Sequence, residues 1–238
     1  MTPLIDSQDL RPLTEQASPE TQGVTVEAHG LTLRGSLGWV YRDVDLTAAP
    51  GRVTALTGPA GSGRTCLLLT LTGRMKPTGG SARVGDHTLP RHAHAVQRIS
   101  AISSPEGLNP PEPALTVRQQ LSEYLHLHAG VSWVRRSRRD EAMGIALERV
   151  GLELPLDRHV SDLDAVDQQL LGVALALMGE PALLAVDDVG ARLPPAGQRV
   201  LWERLREVAD SGVTVLATCV DPEPGAGLAD LVRLPTAR

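Results

Sequence analysis

A chain of 238 residues, 42% hydrophobic and 21% charged, can build one large α/β domain with a substantial core and has the balance of a soluble globular protein. The net charge of -5 argues against a surface made for nucleic acid, and no apolar run approaches the ~20 residues that cross a bilayer, so direct membrane insertion is not expected. Two cysteines, Cys66 and Cys219, make no disulfide framework and suit a reducing cytoplasm; no basic stretch followed by an apolar one marks a signal peptide. Lys76 is the sole lysine and phenylalanine is absent, so Leu, Val and Ala must fill the core.

Met1 to about Gly23 mixes Pro, Gln, Ser and acidic residues without periodicity and is expected to be a flexible leader to a domain over 24–238. Val24–Ala28, Leu31–Leu33 and Asp43–Thr47 alternate as strands do and should form a small antiparallel layer. After Pro50-Gly51 comes the strand Val53–Thr57, then a glycine loop, then a helix to about Met75 that stops at Lys76–Gly80. Ala82–Gly85 and Arg98–Ile102 read as short strands, and the prolines from Pro105 to Pro113 break the pattern. Leu115–Ala129 and Asp140–Val150 have helical periodicity, and the span from about 109 to 163 is expected to be a helical subdomain. A helix over Val166–Gly179, a strand Leu183–Asp188, a helix from about Pro195 to Ala209 and a strand Val213–Ala217 follow. That alternation predicts a mainly parallel sheet covered on both faces.

The loop is Gly58-Pro59-Ala60-Gly61-Ser62-Gly63-Arg64-Thr65, entered from a β-branched strand and left through Cys66 into an apolar helix. Glycines let successive backbone N–H groups converge, and the helix N-terminus adds partial positive charge, so the segment is suited to hold phosphate. Its spacing matches GxxxxGK[ST] everywhere except at the lysine position, which is Arg64. In a phosphate-loop site the hydroxyl after the basic residue binds Mg²⁺, a role open to Thr65; Asp187 at an apolar strand end would be its second ligand, and Asp188 would orient or deprotonate water. A plain reading of Asp187-Asp188 as a solvated strand end stands beside this one.

Pro50 to Thr65 resembles the start of an ABC-type ATPase domain. Lys76–Gly80, Leu115–Arg118, Leu147–Gly151, Gly179–Pro181 and Gly212–Leu216 continue the resemblance in family order, from about Val24 to Pro222, nearest to cassettes of bacterial multidrug-type exporters. The resemblance implies an α/β, P-loop NTPase-like ABC cassette that uses ATP and Mg²⁺. Gly58 to Cys66 would hold phosphates, Thr65 and Asp187 the metal. It implies a cytoplasmic subunit, peripheral at the inner face of the membrane, dimeric with itself or another cassette. Its membrane-spanning partner would lie on a separate chain, docked against the helical subdomain and the stretch around Ser104.

Against the family pattern this chain departs at each catalytic element. The loop lysine is Arg64, the glutamine aligns with Ser104, the signature LSGGQ with Leu163-Asp164-Ala165-Val166-Asp167, and the catalytic glutamate with the shorter Asp188. The aspartate of the next loop is Pro194, the switch histidine is Val220, and the adenine-stacking aromatic falls near Gly35, with Trp39 or Tyr41 as substitutes. Moving a carboxylate by about 1 Å can cost ~100-fold in rate. Lost histidine and glutamine contacts would add about 1.5–3 kcal/mol each. Asp164 facing a γ-phosphate at ~4 Å would repel it by roughly 4 kcal/mol. The resemblance with these departures implies ATP binding with impaired or absent hydrolysis; the alternative is a pseudo-ATPase that binds no nucleotide and acts as an interaction module.

His92/His94 and His126/His128 are spaced by two, which on a helix points the imidazoles apart and disfavours a shared metal. Arg135 to Arg139 reads as a solvated helix start, and Trp202 as packing its helix onto the sheet. Cys66, beside a helix N-terminus, is either a stabilised thiolate or a small inert core residue.

Overall fold

A computed structural model of the chain describes residues 22–103, 111–129 and 136–235; the expected leader up to residue 21, Ser104 and Arg135 lie outside the described residues. In chain order the elements are β1 (Val26–Gly35), β2 (Gly38–Ala48), β3 (Val53–Thr57), α1 (Arg64–Leu71), β4 (Gly79–Val84), β5 (His87–Leu89), α2 (Ala93–Ile99), β6 (Ser100–Ser103), α3 (Val117–Ala129), α4 (Arg136–Glu148), α5 (Ala165–Leu177), β7 (Leu183–Val186), α6 (Pro195–Asp210), β8 (Thr214–Cys219) and β9 (Asp230–Arg233). β3, β7 and β8 are buried at every residue, as expected of parallel strands covered on both faces.

These strands form a five-stranded parallel sheet in the order β6-β7-β8-β3-β9, while β2-β1-β4-β5 make a separate antiparallel layer. The period of two divides the core. Val53, Ala55, Leu184, Val186, Val215 and Ala217 face a cluster with α5, α6 and the helices of the 109–163 span. Leu56, Leu183, Ala185 and Leu216 face the other way, onto α1 and the antiparallel layer. On α6, Leu201, Trp202, Leu205, Val208 and Ala209 form one apolar face, with Trp202 fully buried against the sheet as its spacing suggests.

Around the expected helical subdomain, the chain enters and leaves through one seam. Val117 N–H donates to the Arg158 carbonyl at 2.9 Å, and Val160 N–H to the Leu115 carbonyl at 2.9 Å. α3 and α4 occupy the span between, and the Arg118 guanidinium pairs with Asp140 across them.

Three local expectations are revised. The strand expected over Arg98–Ile102 begins only at Ser100, where pairing with Leu183 starts; the residues before it are α2, which buries Val96. α1 ends at Leu71 rather than near Met75, because Gly73 turns to φ +74 and its N–H shortens its reach to the Thr70 carbonyl at 3.0 Å. The short strands β5 and β9 add to one edge of each sheet where no strand was expected.

Candidate functional site

The carboxyl ends of β3, β8 and β7 come level with one another: Thr57 pairs with Cys219, and Val186 with Ala217. Ligands of open parallel sheets sit beyond such strand ends. Here that edge carries Gly58 to Thr65, Thr218–Val220 and Asp187-Asp188.

The loop is a strand-to-helix bend, as its sequence predicts. Gly61 and Gly63 both take φ +80, and Gly63 caps α1. A Cβ on Gly63 would lie 2.4 Å from the Val40 carbonyl oxygen, so only glycine lets the loop lie against β2. Ser62 N–H closes a turn onto the Pro59 carbonyl at 3.1 Å. The first-turn N–H groups of Arg64, Thr65 and Cys66 precede any helical acceptor, and no acidic side chain occupies that turn. The Ser62 hydroxyl, 2% exposed as a residue, has no hydrogen-bond partner. Backbone donors and a helix N-terminus free of acidic side chains together fit a phosphate group.

The structure brings Thr65 and Asp187 together: the Thr65 hydroxyl donates to Asp187 Oδ2 at 2.8 Å. Asp187 is buried and Asp188 is 47% exposed with φ +51, a bend that aims consecutive carboxylates differently. This oxygen pair, hard and anionic, suits Mg²⁺.

Arg64 is the departure with the largest structural effect. Its side chain is 11% exposed and turns inward, donating to the Gly58 carbonyl, to the Cys219 carbonyl at 3.0 Å and to Asp188 Oδ1 at 3.4 Å. The planar fork spans three strand ends at once, with one nitrogen on the two carbonyls and the other on Asp188. The loop's cation is thus engaged with protein oxygens, and Asp188 faces a guanidinium.

Other expected residues sort as follows. Tyr41 is unavailable to a base: it is fully buried and its hydroxyl bonds to Thr70 Oγ1 at 2.6 Å, so that substitute is withdrawn. Trp39 is half-buried, with Arg34 at 5.0 Å and Arg42 at 5.2 Å from its ring. Val220 is 64% exposed and brings no titratable group to the end of β8. Asp164 caps α5, accepting from Asp167 N–H at 2.9 Å, so a carboxylate already occupies that helix N-terminus. Burial, then the charge of Asp164, pushes the Asp167 carboxyl above its usual range, against an opposing pull from Arg158. Burial and then the Asp187 charge push the Cys66 thiol up, which favours the core-residue reading over the stabilised thiolate. His92 is used internally, its Nδ1 accepting from Thr88 N–H at 3.1 Å.

Sequence reasoning overlooked Thr218. One threonine in an apolar strand carries no signal until pairing places it between the loop and the carboxylates.

The ABC transporter family profile matches residues 41–191. Among curated relatives, the probable multidrug ABC transporter ATP-binding protein YbhF of Escherichia coli (strain K12) is 31% identical over 173 residues, covering 73% of this chain and 29% of that protein. The Nod factor export ATP-binding protein I of Cupriavidus pinatubonensis is 32% identical over 180 residues, covering 75% of this chain and 53% of that protein. The chain therefore spans about half or less of these relatives. Among solved structures, the cbiO1 protein of Clostridium perfringens, part of the ABC transporter complex cbiONQ, has a TM-score of 0.78 at 21% identity, covering 91% of this chain and 87% of that one. A dimeric ATP-binding cassette in a post-hydrolysis state, bound to ADP and Pi, has a TM-score of 0.71 at 17% identity, covering 89% and 95%. With the glycine loop, the strand-end carboxylates and the two-sheet architecture all in place, the chain belongs to the ABC transporter family as an ATP-binding cassette.

Proposed function

We propose that this chain is the ATP-binding subunit of an ABC-type exporter, cytoplasmic at the inner face of the membrane, and that it binds Mg-ATP while hydrolysing it very slowly or not at all. The observation that carries this reading is the contrast at one sheet edge. The loop donors and the Thr65–Asp187 pair stand ready for a metal-bound phosphate, while Arg64 holds Asp188. Gly58 to Cys66 would bind the phosphates, and Thr65 with Asp187 would hold Mg²⁺. When bound, Mg²⁺ neutralises charge on the terminal phosphate oxygens. Asp188, at the position of the base, is short and paired; Val220 supplies no histidine; and Asp164, in the segment aligned with the signature, would set like charge against the phosphate held by a partner cassette.

Among the described residues no helix is long and apolar enough to cross a membrane. A membrane-spanning partner on a separate chain, and a dimer with itself or another cassette, complete the proposal. A groove of about 610 Å³ between α3, α5 and β6 supports the docking face expected from the sequence. Leu127 lies exposed in its lining, and Arg74 and Arg98 bring positive charge to it.

The second reading, an interaction module that binds no nucleotide, is favoured by the same inward Arg64, which a phosphate must work around. Titrating Mg-ATP against the melting temperature separates the two, because a ligand of the folded state stabilises by RT ln(1 + [L]/Kd). A rise of melting temperature with Mg-ATP is expected; no shift at millimolar nucleotide would contradict it and favour the second reading.

A further inference from the structure

Thr218 has no role in the site as derived so far, yet it bonds to both strand-end aspartates. It is fully buried on β8, the strand between β3 and β7. Its hydroxyl donates to Asp187 Oδ1 at 2.5 Å and accepts from Asp188 N–H at 2.7 Å. Its carbonyl accepts from Val189 N–H at 2.8 Å. Three consecutive residues at the exit of β7 are therefore tied to one threonine.

The proton count fixes the direction of these bonds. An amide nitrogen can only donate, so the Thr218 oxygen accepts there, and its one proton is left for Asp187. Oδ1 is then occupied, and Oδ2 is the oxygen turned to the Thr65 hydroxyl at 2.8 Å. The amide bond also anchors Asp188 in its left-handed bend at φ +51, a region that non-glycine residues rarely enter without such support. Partners that orient a ligating carboxylate in this way govern metal affinity without touching the metal.

We propose that Thr218 is a positioning residue for the metal site: it fixes which oxygen of Asp187 faces Thr65 and holds Asp188 out of that place. The inference rests on the nucleotide-binding reading above. A purely space-filling threonine would be replaced by valine with no selective effect on metal.

The test uses the full chain and compares Thr218→Val, which keeps the shape, with Thr218→Ser, which keeps the hydroxyl. Melting-temperature titrations are run with ATP plus Mg²⁺ and with ATP plus a chelator. Thr218→Val should lose about tenfold or more of the affinity gained from Mg²⁺, with metal-free ATP bound as in the wild type, and Thr218→Ser should restore the gain. Where Thr218→Val does not fold, Thr218→Cys, a weak donor and acceptor of similar size, should show the same selective loss. A responsive wild type together with a Thr218→Val protein that keeps its full Mg²⁺ gain, or loses both forms of ATP equally, overturns the role of Thr218 alone. A wild type that responds to neither form overturns the nucleotide reading, and this inference with it.

Discussion

At the scale of single residues, Arg64 decides most. A compact ammonium in a phosphate loop can contact ligand oxygens, whereas this guanidinium bridges Gly58, Cys219 and Asp188. Arg64→Lys should free the loop and tighten Mg-ATP by about tenfold, of the order of one charge-assisted hydrogen bond. It should not restore phosphate release, because Asp188, Asp164 and Val220 are unchanged; full turnover from that one substitution would refute the account of those positions. Cys66 offers a pH-dependent check. Its thiol is pushed up by burial and by Asp187, so its thiolate forms at higher pH than that of a free cysteine. Alkylation of Cys66 in the folded chain should lag a model thiol near pH 8 and catch up only on raising the pH. The same shift means that the folded state holds the proton more firmly. Its share of stability is therefore full below the ordinary thiol range and lost as pH rises through the elevated value.

At the scale of elements, the loop and the helix ends are the sensitive joints. Gly63→Ala would place a methyl group 2.4 Å from the Val40 carbonyl at φ +80, in backbone that cannot yield cheaply. A loss of more than about 1 kcal/mol in urea unfolding is expected. Asp164→Ala removes the side-chain cap of α5 and should cost about 1 kcal/mol, whereas Asp164→Ser, another good cap, should cost only a few tenths.

The same joints show what could be read from sequence. Val53–Thr57, Leu183–Val186 and Thr214–Cys219 are short runs of apolar and β-branched residues, so the parallel core was legible, as was the glycine loop between strand and helix. α2 and the edge strands β5 and β9 were not, being three to seven residues long, with little periodicity of their own and form given by what they pair with. The inward turn of Arg64 and the bonds of Thr218 were also hidden. Both join residues distant in the chain, such as Asp188 and Cys219 to Arg64 and Asp187 to Thr218, and only the closed sheet brings them together.

At the scale of the whole molecule, two sheets and a seam-closed helical span present one strand edge that can receive a metal-bound phosphate. On the proposed reading, the positions that would cleave that phosphate carry residues poorly suited to it, with Asp188 paired to Arg64 and Val220 in place of a titratable group. On that reading the chain retains nucleotide without consuming it. This is tested most directly by mixing the full chain with stoichiometric Mg-ATP, isolating the protein and chromatographing the nucleotide that comes with it over time. The account predicts that intact ATP co-elutes and stays ATP over hours, and that Asp187→Asn abolishes its retention. Conversion to ADP within minutes by the wild-type chain, lost in Asp187→Asn, would contradict it.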